Sequence, residues 1–151
     1  MRKRLYVVCG LLILGISAAV CRQATAQEKK AGATVAVRVN YTGSGTVDEG
    51  HKIYVALWDS PGFTQGSATP LAVKPAASKN ETVTFTDVTA NPAYASAAYD
   101  PTGKWDAQSP PPSGSSLGMY SKEPGKPAPI SGTAGRTARA EISFNDSFKT
   151  P

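Results

Sequence analysis

The 151-residue chain predicts an all-β domain behind an N-terminal targeting segment, and three observations carry that expectation. Apolar side chains recur at every second position in several short segments, the repeat of a strand with one buried face. Clusters of Gly, Pro, Asn and Ser punctuate those segments. No apolar repeat of helical period persists beyond one turn. About seven such strands fit an antiparallel Greek-key sandwich, which buries one face of each strand without needing a helix.

The elements follow in chain order. Arg2-Lys3-Arg4, the apolar run Leu5–Val20 and Ala24-Thr25-Ala26 form an export signal with a small-residue cleavage site after Ala26. The run is 16 residues long, against about 20 for a helix that crosses a bilayer. The chain is therefore expected in the periplasm or outside the cell. A lipoprotein acylated at Cys21 is the alternative, although Val20 stands where lipoprotein processing favours Gly, Ala or Ser. Residues 1–26 are then a cleaved signal peptide, 27–32 a polar lead, and 33–151 one sandwich domain.

Within that domain Thr34, Ala36, Arg38 and Asn40 alternate with Val35, Val37, Val39 and Tyr41, a half-buried strand. Lys52–Asp59 is nearly continuously apolar and predicts a central strand covered on both faces. Ser60-Pro61-Gly62-Phe63 breaks it. Shorter strands are expected at 71–74, 81–86, 93–99 and 137–144, the last with Ala138, Ala140, Ile142 and Phe144 on one face. Trp58 and Phe85 read as core. Between the strands expected at 93–99 and 137–144 lies 100–133, rich in Pro and Gly, which predicts one long loop packed on the sandwich. Its Leu117, Met119 and Tyr120 are expected to tuck back over a sheet edge.

Composition excludes some functions. The signal carries four of the 16 basic residues and no acidic one, leaving 12 Lys/Arg against 11 Asp/Glu. So small an excess, without basic clusters, lacks the footprint of a nucleic-acid binder. Both cysteines, Cys9 and Cys21, lie in the signal, so no disulfide is expected in the domain.

Candidate chemistry is sparse. His51 is the only histidine, and no serine sits in a Gly-x-Ser-x-Gly elbow, so neither a zinc cluster nor a hydrolytic triad is expected. The segment 100–106, Asp-Pro-Thr-Gly-Lys-Trp-Asp, spaces Asp100, Thr102 and Asp106 at alternate positions around a glycine, as calcium loops do. Lys104 puts a cation at the intervening ligand position, and no bidentate Glu follows. A structural turn is the main reading of this segment and a weak Ca2+ site the alternative; no other cofactor is expected. Tyr99, Trp105 and Tyr120 lie in or beside the long segment, where an aromatic platform could hold a glycan or a peptide.

The run Val55-Ala56-Leu57-Trp58-Asp59-Ser60-Pro61-Gly62-Phe63, then Val83-Thr84-Phe85-Thr86-Asp87-Val88, then Tyr94-Ala95 leading to Ala98-Tyr99-Asp100, resembles a family of short secreted bacterial proteins of unknown function. That family is characterised by a Val-Ala-Leu-Phe-Asp-Ser strand and a downstream acidic segment. The resemblance spans roughly residues 35–144 and implies a transthyretin-like or carboxypeptidase-regulatory-like sandwich. It supplies no activity. Of the family's acidic segment only Asp100, Gly103 and Asp106 carry over, with Thr102 and Lys104 in place of its asparagines.

Two functions remain. The first is an exported non-enzymatic module with a binding or structural role in the cell envelope, its ligand unknown, with no nucleic-acid partner and no membrane span after cleavage. The alternative is a carbohydrate-processing accessory or enzyme that uses the 100–133 segment.

Overall fold

A computed structural model describes residues 31–66 and 68–151. The export signal, its cleavage after Ala26, the Cys21 alternative and most of the polar lead lie outside the described residues. The structure is all-β. Its strands are β1 (Ala33–Tyr41), β2 (Ile53–Trp58), β3 (Ala72–Ala76), β4 (Thr82–Val88), β5 (Tyr94–Tyr99), β6 (Leu117–Met119), β7 (Ser121–Glu123), β8 (Lys126–Pro127) and β9 (Thr137–Phe144). A single turn of 3-10 helix, Pro61–Gln65, follows β2, with the Ser60 hydroxyl accepting from the Gly62 N–H as its cap. No helix among the described residues is long and apolar enough to cross a membrane.

The strands form a three-stranded sheet in the order β4-β1-β9, a four-stranded sheet in the order β3-β2-β5-β6, and the hairpin β7-β8. Alternation along each strand sends one set of side chains inward. Val35, Val37, Val39 and Tyr41 of β1, Val83 and Phe85 of β4, and Ala140, Ile142 and Phe144 of β9 meet Ile53, Val55 and Leu57 of β2 and Ala95, Ala97 and Tyr99 of β5 in one core. The outward face of the three-stranded sheet is polar, with Arg38, Thr82, Thr84, Thr86, Arg139 and Glu141 exposed.

Three expectations are corrected. First, pairing is not wholly antiparallel: β1 and β9 run parallel over eight register pairs, from Thr34↔Thr137 to Tyr41↔Phe144. Parallel neighbours need a long crossover, and nearly the whole domain intervenes between these two strands.

Second, β2 is central in its sheet, but only its inward face is fully buried. Ile53, Val55 and Leu57 are buried, whereas Tyr54, Ala56 and Trp58 are half-buried on the outward face. Loops cover that face. Phe63 stacks on Trp58 with ring centroids 5.0 Å apart, and Trp105 sets an edge against Tyr54 at 4.8 Å. Trp58 is thus an outer-face residue whose indole N–H donates to the Ser96 hydroxyl, while Phe85, 2% exposed, is core.

Third, 100–133 is not one loop. Its second half supplies β6, which pairs with β5, and the β7-β8 hairpin, and Ile130 bridges back to Ala93. Leu117 and Met119 therefore cover the edge of β5 as strand residues. Gly118 makes this closure feasible: a Cβ there would lie 2.7 Å from Phe144 Cβ and 3.0 Å from Ile142 Cγ2. The two sheets thus close tightly on the β6/β9 side.

Candidate functional site

At the end of β5 the chain turns on Asp100, 1% exposed. Its Oδ1 accepts from the backbone N–H and the hydroxyl of Thr102, at 2.8 and 2.7 Å, and its Oδ2 accepts from the Trp105 N–H at 2.9 Å. Asp side chains fold the following backbone in this way because they imitate a backbone carbonyl. Burial works against ionisation, but the hydrogen bonds from Thr102, Trp105 and Gly103 outweigh it and hold the carboxyl below its ordinary range. Gly103 has φ +65°, and a Cβ on it would meet the Gly50 carbonyl at 2.5 Å, so the turn seats directly on the loop that precedes β2. That loop is itself drawn together by Asp48, whose Oδ1 accepts from the N–H groups of His51 and Gly50. Those donors lower the Asp48 pKa.

The result is a fixed indole. The Trp105 carbonyl accepts from the Tyr54 hydroxyl at 2.9 Å, and its Nε1 donates to the Ser109 carbonyl at 3.0 Å. Between these anchors Ala107 takes a left-handed backbone, φ 60°, which a residue with a Cβ adopts at a cost of roughly 1–2 kcal/mol. Beside the indole lies a shallow hollow of about 410 Å³, lined by Thr102, Lys104, Asp106 and Ser109 with Pro110 and Pro112. One rigid aromatic plane next to hydroxyls, an ammonium and a carboxylate suits a polar ligand with an apolar face.

The sequence-predicted residues separate here. Trp105 lines the hollow. Tyr99 does not: it is 7% exposed, stacks on Tyr41 at 5.1 Å and donates its hydroxyl to the Thr46 carbonyl. Burial, with nearby Asp48, Asp100 and Asp146, raises its phenol pKa. Tyr120 is half-buried against the core, its backbone bonded to Ala95 and Ala128. Both therefore stand apart from the aromatic platform expected of them, because β5 and the segment after β6 use them for packing. Asp100, Thr102 and Asp106 are adjacent in the chain, but their oxygens face different donors: Thr102 Oγ1 accepts from the Lys104 N–H, and Asp106 Oδ1 accepts from the Gln108 N–H. No group of three or more His, Cys, Asp and Glu side chains placed to hold a metal ion occurs among the described residues.

No protein-family model, curated protein or solved structure matches the chain.

A second polar cluster escapes sequence reasoning altogether. Asp146, just after β9, accepts at Oδ1 from the Tyr41 and Ser116 hydroxyls, at 2.5 and 2.7 Å, and at Oδ2 from the N–H and hydroxyl of Ser44. All four donors are intramolecular, so the cluster joins the ends of β1 and β9 to the start of β6. No local pattern marks it, because its members come from three distant segments.

Proposed function

We propose that this chain is an exported, non-catalytic binding module of the periplasm or cell exterior, built as a transthyretin-like Greek-key sandwich akin to the secreted family it resembles. Its ligand is a glycan or a peptide, and its site is the Trp105 hollow. The observation that carries this reading is the fixing of Trp105 on both sides, through its backbone to Asp100 and Tyr54 and through its indole to Ser109. A side chain already immobilised before binding loses little entropy on binding, which is how a small exposed site gains affinity.

The non-catalytic character is supported by how the reactive groups are employed. The Asp100 and Asp146 carboxylates and the Tyr41 and Ser116 hydroxyls are engaged with one another or with backbone groups that hold the loops. The His51 ring lies against Asp48, its Nδ1 3.3 Å from Oδ1, in a solvent-facing turn.

Oligosaccharide and peptide arrays probed with the purified protein and with Trp105→Ala test the reading. Binding lost in the variant supports it. Cleavage of a bound sugar would instead favour the carbohydrate-processing alternative. Intact-mass measurement and N-terminal sequencing of protein from the envelope test export, with Gln27 the expected first residue and an acylated Cys21 the contrary result.

A further inference from the structure

On the side opposite β6/β9, β3 of one sheet meets β4 of the other, with Lys74 reaching across to the Thr84 carbonyl. There β3 and β4 bound a groove of about 310 Å³ that opens to solvent and reaches the core. Its floor is Leu57 and Phe85, which are 1% and 2% exposed, and its apolar wall continues through Val88 to Leu71. Leu71 is 50% exposed, one of only two large apolar side chains so exposed among the described residues. One cation stands over this surface. Lys74, from β3, carries its ammonium 5.4 Å from the Phe85 ring centroid and donates to the Thr84 carbonyl at 2.7 Å.

A bound peptide strand is the less suitable occupant. The N–H groups of Val39 and Tyr41 donate to the carbonyls of Glu81 and Lys79, so odd-numbered residues on the β4 side turn toward β1. Thr82, Thr84 and Thr86 therefore direct their backbone groups to the open edge. Lys74 already takes the middle one of these, the usual defence of an edge against strand addition. What the groove leaves accessible is the apolar wall of Leu71 with the half-buried Ala72 and Val88, and a cation whose ammonium has three donors, of which one goes to Thr84. Its volume lies at the low end of the range for small-molecule sites, about 300–1,000 Å³, which favours a short chain over a polymer.

We propose that this seam is a second binding site, separate from the Trp105 hollow, and that it takes a small amphiphilic carboxylate with its apolar body on Leu71 and Val88, above the Leu57 and Phe85 floor, and its head on the Lys74 ammonium. Charge complementarity sets the polarity. Asp87, on the β4 wall with a left-handed backbone of φ 55°, repels the same head and so directs it to Lys74.

The test is a titration of the purified protein with decanoate and with decanol, both below micelle-forming concentrations, followed by amide shifts and calorimetry. Decanoate is expected to shift Leu57, Leu71, Phe85 and Val88 and to bind more tightly than decanol. Lys74→Met, which keeps an apolar stem, is expected to weaken decanoate about fivefold and to leave decanol unchanged. Asp87→Asn, tolerated in the left-handed region, is expected to strengthen decanoate. In the unaltered protein, raising salt is expected to weaken decanoate alone. The proposal is overturned if decanoate shifts none of these residues, if decanol binds equally well, or if neither Lys74→Met nor salt affects decanoate.

Discussion

The Tyr41 hydroxyl donates a 2.5 Å hydrogen bond to the Asp146 carboxylate, tying the end of β1 to a residue 105 positions further along the chain. The parallel pairing of β1 with β9 makes this contact feasible, since Tyr41 and Phe144 are register partners and Asp146 follows two residues later. The Tyr41 hydroxyl, the Ser44 N–H and the hydroxyls of Ser116 and Ser44 hold the Asp146 pKa far below the usual carboxylate range. A folded pKa lowered in this way stabilises the protein above the unfolded value of about 3.9, and that stabilisation is lost as pH falls below it. Asp146→Asn is expected to cost about 1 kcal/mol at pH 7, below the usual value of about 1.5–3 kcal/mol for charged hydrogen bonds because the site is partly solvated. Urea unfolding at pH 7 and pH 3 should show the gap between the two proteins narrowing at the lower pH.

Closure on the β6/β9 side depends on the absence of a side chain at Gly118. Gly118→Ala places a methyl 2.7 Å from Phe144 Cβ, and overpacking of this kind costs about 1–3 kcal/mol. Denaturant midpoints measure it, and an unchanged midpoint would show that β6 has room to move away from β9.

Phe85 sits between the sheets, 2% exposed. Phe85→Ala is expected to cost about 3–5 kcal/mol through lost burial and the cavity left behind. A loss below about 1 kcal/mol, the scale of surface substitutions, would contradict its position in the core.

Calcium is expected to have little effect on the melting temperature at millimolar concentration. Both Asp100 oxygens already face protein donors, and stabilisation by a ligand grows only when its concentration exceeds Kd. A rise of several degrees that disappears in Asp100→Asn would show that calcium displaces those donors.

Much of the fold was legible in the sequence because alternation is a local property. β1, β2, β4 and β9 each carry their inward residues at every second position, and their boundaries fall within two residues of those expected. β6 to β8 were not legible. They are only two or three residues long, too short to show alternation, and β6 exists because β5 offers it an edge and Gly118 lets it lie against Phe144. Non-local geometry also decides the site. The Asp-Pro-Thr-Gly-Lys-Trp-Asp segment marked the turn, and Trp105 with it, but the loss of Tyr99 to the core follows from its place opposite Ile53 in β5. Lys74 gave no signal, since its partner Thr84 becomes adjacent only after β3 and β4 meet.

Trp105 is the residue on which binding at the hollow depends, and the decisive measurement compares the purified protein with Trp105→Ala on one array of oligosaccharides and short peptides, with the melting temperature of each recorded. The expected result is at least one ligand bound by the unaltered protein and lost in the variant, with melting temperatures close together because the indole lies outside the core. An unaltered protein that binds nothing on the array, or a variant that binds as well as the original, would contradict a binding site at this hollow.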